Sequence, residues 1–370
     1  MACPHCKADA DFKGYRPKTF ITPNGDVTAR RAYYHCPNCQ EGHFPFDAAN
    51  DLRGDHISTG LRPLVCLAGV LESFRISAAD VLRRFSRVHL SAATARRATQ
   101  EAGARLAEQQ RQGDIATAGK WQAKDFAVEG HSQTVAYLGL DAFSVPMQGK
   151  KGAKAEGRML YTALLYTPDK DRSHYLVDFD LDRLGAQMRQ AAKALGLGQA
   201  DKVIAVTDAG NGIEECIRRH FWDDLLCVLD WYHACEHLSD YAKQLQPRDE
   251  GARQAWRQQA ESILYEKGGT TLLEHLRGQP TPADEAVAEE LRKLINYFAN
   301  HEHRTDYPSY RKAGWDIGSG PVESGCKVVG DRLKRSGMRW VEAGAAHVAP
   351  LRALYWSGED VWDAYWALAA

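Results

Sequence analysis

Lys202-Val-Ile-Ala-Val-Thr-Asp208 decides the reading of the fold. A short run of apolar and β-branched residues that stops on a carboxylate reads as a buried strand. The Ala209-Gly210-Asn211-Gly212 that follows reads as a turn leading into a helix. Leu225-Leu-Cys-Val-Leu-Asp230 repeats the design, and Gln133-Thr-Val-Ala-Tyr-Leu-Gly-Leu-Asp141 upstream is again strand-like and again ends on Asp. Beyond the Lys/Gly loop Gly149–Gly157, Arg158–Thr167 and His174–Asp180 read as further strands. Leu184–Leu195 is an amphipathic helix closed by Gly196. Three strands in succession, then strands alternating with helices, predict a mixed α/β sheet.

A carboxylate at the carboxyl end of a buried strand stands at the sheet edge where ligands bind in open α/β folds. Leaving it there without a partner is costly, and a bound cation is the natural compensation. Two such acids on neighbouring strands can share Mg²⁺, which prefers oxygen ligands. Taken singly, Asp141 and Asp208 read better as turn-forming or helix-capping residues. A third element is Trp315-Asp-Ile-Gly-Ser-Gly-Pro-Val-Glu323-Ser-Gly-Cys-Lys327. Ser319 or Gly320 can cap a helix there, Pro321 suits its first turn, and Glu323 lies near the positive end of the dipole. Lys327 follows one turn later on the same face, with Asp331 and Lys334 or Arg335 continuing the stripe. Such cations can grip phosphates beside a metal-binding carboxylate. The plainer alternative is a capped helix with a Glu–Lys pair worth roughly a few tenths of a kcal/mol.

The chain order LGLDAFSV (Asp141), VTDAGNG (Asp208), LDWYHACEHL (Asp230, His233) and GSGPVESGCK (Glu323) resembles the DDE transposases of bacterial insertion sequences. It most resembles the ISKra-type group, which is similar to the eukaryotic Mutator-like elements in carrying a C/D-x-x-H motif between the second Asp and the Glu. The resemblance spans about Val135 to Trp340. It implies an RNase H-like core interrupted by an all-helical insertion, here about Ala234 to Ala313, which is Glu/Gln/Ala/Leu-rich with helical period. It further implies that Asp141, Asp208 and Glu323 hold two Mg²⁺ ions, with Mn²⁺ able to replace them. One ion would generate hydroxide or activate a DNA 3′-OH and the other would stabilise the leaving oxygen. Asp230 and His233 match D-x-x-H and would support the ligands or position DNA, as would Lys327, Arg339 and Trp340. The implied substrates are transposon-end and target DNA, held by a homodimer or larger assembly in the bacterial cytoplasm, associated with the nucleoid.

Upstream, Cys3-Pro-His-Cys6 and Cys36-Pro-Asn-Cys39 each offer two sulfurs from one bend, the donor set of a tetrahedral zinc. Phe12–His35 between them, with Pro23-Asn24-Gly25-Asp26 as a turn, reads as a hairpin and the whole as a zinc ribbon. The 29 residues from Cys6 to Cys36 exceed the usual spacing. Four thiolates close the coordination shell, so the expected zinc is structural. Arg30, Arg31, Tyr33 and Tyr34 suit nucleic-acid contact and a solvated face equally. The other five of nine cysteines are scattered singly, which favours a reducing compartment.

Leu61–Arg111 has helical period. Ser77, with Asp80 as capping partner, opens one helix, and Leu90-Ser91-Ala92 opens a second. The pair reads as helix-turn-helix, with Arg83, Arg84, Arg87, Arg96 and Arg97 as DNA contacts.

The 370 residues are 44% hydrophobic and 26% charged, which excludes a disordered or fibrous chain. The apolar runs are strand-length and no secretory signal is legible, so neither membrane span nor export is expected. Net charge is −1, yet residues 1–111 hold 16 Lys+Arg against 11 Asp+Glu. The expected division is a zinc ribbon over 1–50, a helical DNA-binding segment over 51–130 and a first part of the core over 131–233. A helical insertion over 234–312 and a final catalytic helix and tail over 313–370 complete it. Two alternatives stand beside this reading. His233-Ala-Cys-Glu236-His237 also spells the H-x-x-E-H of a zinc peptidase, and an element-derived DNA-binding protein could carry the same acids silently.

Overall fold

Alternating and helical apolar patterns resolve into strands and helices packed about several hydrophobic clusters. In the computed structural model, which describes residues 1–50, 52, 55–121, 125–128, 131–210, 212–221 and 225–369, the chain forms two units. One comprises Met1–Glu108 with Val341–Tyr355 and Glu359–Ala370; the other comprises Gln109–Trp340 with Trp356–Gly358. Asn211 of the expected turn lies outside the described residues, as do the expected segment boundaries at 51 and 130.

The first unit opens with a long hairpin of β1 (Asp11–Thr22) and β2 (Gly25–His35), to which β3 (Gly42–His43) adds a short third strand. Gly25 closes the hairpin at φ +109°, a conformation that its missing side chain permits. After α1 (Pro45–Ala49) the chain returns to bridge Ile57 against Ile21 of the hairpin. Then come α2 (Arg62–Leu71), α3 (Phe74–Ile76) continuing as a π-helix over Ser77–Phe85, and α4 (Ala92–Arg111). Leu61, Val65, Leu82, Val88, Ala95 and Ala98 form their shared core. The start of the first helix of the expected pair differs from expectation. Ser73, not Ser77, accepts the Ile76 N–H as N-cap. Ser77 is buried one turn inside, its hydroxyl 2.7 Å from the Ala68 carbonyl and 2.9 Å from that of Ser73. A serine that can bond main-chain carbonyls is held inside a helix as readily as at its start. Ser91 does cap α4, accepting the Thr94 N–H at 3.0 Å.

The second unit is a mixed α/β structure. Its strands are β4 (Asp125–Val128), β5 (His131–Val145), β6 (Arg158–Tyr166), β7 (Ser173–Asp178), β8 (Lys202–Thr207) and β9 (Leu226–Leu229). Five lie in the order β7-β6-β5-β8-β9, and β4 pairs with the start of β5. β5, β6 and β7 are antiparallel; β5, β8 and β9 are parallel. Helix α5 (Leu181–Leu195), capped by Asp180 and closed by a left-handed Gly196, links β7 to β8, and α6 (Ile213–His220) links β8 to β9. Both cover one sheet face, where Leu138, Leu140, Ala205 and Cys227 meet Leu184, Met188, Ile213 and Ile217. The opposite face, with Val135, Tyr137, Ile204, Val206 and Val228, lies under an all-helical stretch and a final helix. These are α7 (Trp231–Leu245), α8 (Glu250–Arg277), α9 (Glu285–His301), α10 (Tyr307–Lys312) and α11 (Gly320–Lys334). Each fully buried Leu, Ile or Val contributes about 1.5–3 kcal/mol. The chain ends in α12 (Glu342–Trp356) and α13 (Glu359–Ala369).

One strand end differs from expectation. β5 does not stop at Asp141 but runs to Val145, because β6 continues to pair with it on the other side, Asp141 opposite Thr162. The sheet edge at Asp141 is made by the ends of β8 and β9. No helix among the described residues is long and apolar enough to cross a membrane.

Candidate functional site at the carboxyl edge of the parallel strands

The parallel registers define the site. Leu138 pairs with Ala205, and Thr207 pairs with Leu229. Carried on at the same offsets, the first register sets Asp141 beside Asp208 and the second sets Asp208 beside Asp230. Neighbouring strands run about 4.8 Å apart. Alternation puts all three acids on the face of Tyr137, Val206 and Val228, the face covered by α11. Gly139, on the same face as Asp141, allows that cover. A Cβ there would meet Val322 Cγ2 at 2.1 Å, so only glycine lets α11 lie this close. Glu323, the next residue, is thereby brought to the row.

The start of α11 is tied to the strand ends. The Ser319 backbone N–H donates to Asp230 Oδ1 at 2.8 Å, and its hydroxyl donates to Glu323 Oε1 at 3.0 Å. Ser319 holds the N-cap position, but its side chain bonds the acid rather than the helix's free N–H groups. Asp230 is fully buried and caps α7, accepting the His233 N–H at 3.1 Å and the His233 Nδ1 at 2.6 Å. Asp230, His233 and Glu323 each present one ligand atom within 4.8 Å of the others. Among the described residues the other such group is Cys3, Cys6, Cys36 and Cys39; Asp141 and Asp208 belong to neither. The same holds for Glu236 and His237, whose ring packs 3.9 Å from that of Tyr297.

Burial raises the Asp141 carboxyl above its usual range, against the Ala142 N–H and Cys326 thiol that lower it, and the Asp208 charge raises it further. Burial would also raise Asp230, but His233 and the Ser319 N–H outweigh it and hold that acid low. The Asp230 bond raises His233 to about 9, helped by the Asp208 and Glu236 charges. The edge thus sets a histidine among carboxylates that favour its protonated form, held on Asp230 through Nδ1 and leaving Nε2 for the site. Asp208 is oriented by the Gly210 N–H at 2.9 Å.

Lys327 and Arg339 are exposed. Trp340, for which core packing is the readier reading, is 8% exposed, and its indole N–H donates to the Leu333 carbonyl at 3.0 Å. Arg83, Arg84, Arg87, Arg96 and Arg97 are all exposed in the first unit, as is Phe85 at 86%. Arg84 pairs with Asp80, and Arg96 and Arg97 line an open pocket with Gln100 and His347. On the hairpin, Arg31 is instead buried against Asp47 and over the Phe44 ring. Sequence reasoning missed Arg304 altogether. It is fully buried with its guanidinium on the Thr207 and Asp208 carbonyls, and a lone Arg in a helical stretch gives no sign of that.

The four sulfurs can hold a metal. Cys3 and Cys39 Sγ are 3.6 Å apart, and Cys6 and Cys36 Sγ are 3.5 Å apart. Tetrahedral zinc with sulfurs at about 2.3 Å requires edges of about 3.8 Å. The two knuckles share a backbone form, with Lys7 and Gln40 each left-handed one residue after the second Cys of its pair. The set is compatible with structural zinc.

No curated protein matches the sequence. Matched over residues 7–368, a span that takes in the three aspartates and Glu323, the chain belongs to the uncharacterised protein family UPF0236.

Proposed function

We propose that the protein is a DDE transposase of an insertion sequence, binding terminal repeats and cutting and joining DNA strands with Asp141, Asp208 and Glu323. The observation that carries this reading is the row of acids across three parallel strands, Asp141 within β5 and Asp208 and Asp230 just past the ends of β8 and β9, with the first turn of α11 held over it. The strand order, three antiparallel and two parallel with helices between β9 and α11, supports an RNase H-like core with a helical insertion. The paired cysteine knuckles at the base of a hairpin support a zinc ribbon. Exposed arginines on the helical segment support DNA contact, which would be strongly salt-dependent.

Asp141, Asp208 and Glu323 are oxygen donors that form no ion pair with Lys or Arg among the described residues, a donor set that suits Mg²⁺ or Mn²⁺. A pair of such ions, when bound, would supply charge stabilisation at the scissile phosphate and an activated oxygen nucleophile. The chain's own part is to hold these carboxylates in place and, through His233 Nε2, to donate to a phosphate oxygen. Asp230, whose oxygens already accept bonds from Ser319 and His233, orients the histidine. Two ends must be held together for transfer, so a homodimer or larger assembly belongs to the reading.

The test is cleavage of labelled DNA taken from the flanks of the gene, with Mg²⁺, by wild type and by Asp141→Asn, Asp208→Asn and Glu323→Gln. Each variant should lose at least about a hundredfold in rate, the equivalent of several kcal/mol of lost metal stabilisation. Cutting at the wild-type rate by all three would end the reading. A wild type that binds these ends without cutting them would put a silent DNA-binding protein in its place.

A further inference from the structure

Asp208 stands one residue beyond the last ladder pair of β8, where the Asp230 N–H, 2.8 Å from the Thr207 carbonyl, makes the last backbone bond to the next strand. A further donor to this strand end comes from the far end of the helical stretch. We infer that Arg304, which no motif marks, is a positioning residue that holds Asp208 in place for metal binding; the assignment rests on the proposed metal-dependent function.

The geometry is specific. Arg304 Nη2 lies 3.0 Å from the Thr207 carbonyl, 2.6 Å from Thr207 Oγ1 and 3.2 Å from the Asp208 carbonyl. It is also 3.4 Å from the Val228 carbonyl of the neighbouring strand. Its other terminal nitrogen, Nη1, bonds Glu214 Oε2 at 3.0 Å. Glu214 lies in the first turn of α6, the helix after the Asp208 turn. One guanidinium therefore grips the chain on both sides of Asp208. A fully buried guanidinium is tolerated only when paired and hydrogen-bonded. Glu214 supplies the charge: against its burial, His303, Arg304 and Arg218 hold that carboxyl down at about 2. Tyr307 does for the next strand what Arg304 does for β8, its hydroxyl donating to the Leu229 carbonyl at 3.0 Å beside Asp230.

The anchor itself is rigid. Thr305 is buried, its carbonyl accepts the Gly269 N–H at 3.1 Å, and a Cβ on Gly269 would meet Thr305 Oγ1 at 1.9 Å. By contrast, among the described residues the Asp208 carboxylate accepts the Gly210 N–H alone, so its direction depends on the main chain that Arg304 holds. Lysine cannot stand in, because one ammonium lacks the fork that spans strand and helix.

The experiment is Mn²⁺ titration of the full-length, zinc-replete protein without DNA, read by electron paramagnetic resonance of the free ion. Wild type, Arg304→Lys and Glu214→Gln are compared, with circular dichroism as the folding control. Arg304→Lys is expected to fold and to bind Mn²⁺ about tenfold to a hundredfold more weakly, the usual cost of losing a group behind a ligand. Its DNA cleavage should recover as Mn²⁺ is raised, a rescue that general loosening of the fold would not give. Glu214→Gln should shift affinity the same way by less, and it decides alone if Arg304→Lys does not fold. Folded variants with wild-type Mn²⁺ affinity overturn the role of Arg304. A wild type that binds no Mn²⁺ overturns the metal-dependent reading beneath it, and with it the role.

Discussion

Replacing Gly139 with alanine tests the closeness of α11 to the acid row. The added Cβ would sit 2.1 Å from Val322 Cγ2 and 3.2 Å from the Val206 carbonyl oxygen. Carbon atoms rest at about 3.5–4.0 Å, so the helix must retreat by about 1.4 Å or more at this point. Overpacking of this kind costs about 1–3 kcal/mol. Val322 is itself buried in the core of this face, so Val322→Ala alone should cost roughly 1–2 kcal/mol through lost burial and a small cavity. Together the two changes relieve most of the clash, because alanine at 322 removes the methyl at 2.1 Å and leaves the Val322 Cβ position at 3.3 Å as the nearest carbon. The double variant should be more stable than the two single costs predict by about 1–2 kcal/mol. The assay is urea unfolding followed by tryptophan fluorescence, to which Trp231 and Trp315, packed against this core, contribute. Because Glu323 follows Val322 directly, Gly139→Ala should also weaken Mn²⁺ binding, and the double variant should regain it. A Gly139→Ala protein within about 0.5 kcal/mol of wild type, or strict additivity in the cycle, would refute the contact.

Three further outcomes are expected. His174 is buried with neither ring nitrogen bonded among the described residues, and burial lowers its pKa to about 4. Its neutral form belongs to the folded state, so stability is full above the unfolded value near 6.5 and falls as pH drops from there to about 4. The loss is on the order of 3 kcal/mol, and His174→Phe should flatten it in urea midpoints measured across that window; parallel curves would show another group titrating. Removing zinc with a strong chelator, or Cys36→Ser, should unfold the hairpin module, because the core beside the knuckles is little more than the sulfurs and Ala10. Cobalt substitution should give the absorption of tetrahedral thiolate, and a spectrum without it would count against the site. Arg96→Gln and Arg97→Gln should each weaken DNA binding across sequences and lower the salt slope by about 1. An unchanged slope would place these side chains off the DNA.

What was legible in the sequence was local. β8 and β9 are short apolar runs ending in Asp, and α5 carries both its Asp180 cap and its Gly196 stop, so each element is announced by its own residues. The four cysteines were legible because ligand spacing is itself a local pattern. The overrun of β5 was not, because whether a strand ends at an acid depends on the neighbours on either side of it. Ser73 and Ser77 lie one turn apart, and only the carbonyls near Ser77 decide which of them caps. Arg304 and Ser319 act across gaps of 97 and 89 residues, on Thr207 and Asp230, and such partners leave no trace in composition or period. The same is true of α12 and α13, which group with Met1–Glu108. Gly103 of α4 admits the His347 carbonyl where a Cβ would be 1.6 Å away, and Arg352 reaches the Val70 carbonyl at 2.8 Å.

The two ligand sets differ in a way that bears on function. Four thiolates at tetrahedral spacing complete a coordination shell and leave no position for a substrate. At the carboxyl edge, by contrast, Asp230 and Glu323 lie beside His233, Asp141 and Asp208 are near enough to interact with it electrostatically, and no lysine or arginine pairs with these carboxyl groups among the described residues. Two unit charges 5 Å apart interact by roughly 3 kcal/mol at an effective dielectric constant near 20. An excess of negative charge at that spacing therefore works against the packing that creates it. Burial already shows the strain by pushing Asp141 toward its neutral form. Such an edge also repels a phosphate backbone. It can approach one only if positive charge stands between them, and oxygen donors on rigid strand ends favour a divalent cation over a mobile side chain for that place. The acids, the gap in their compensation and the arginines of the other unit are then parts of one reading. Under the proposed function, the arginines would attract the nucleic acid without metal, and the acids would engage it only with metal present.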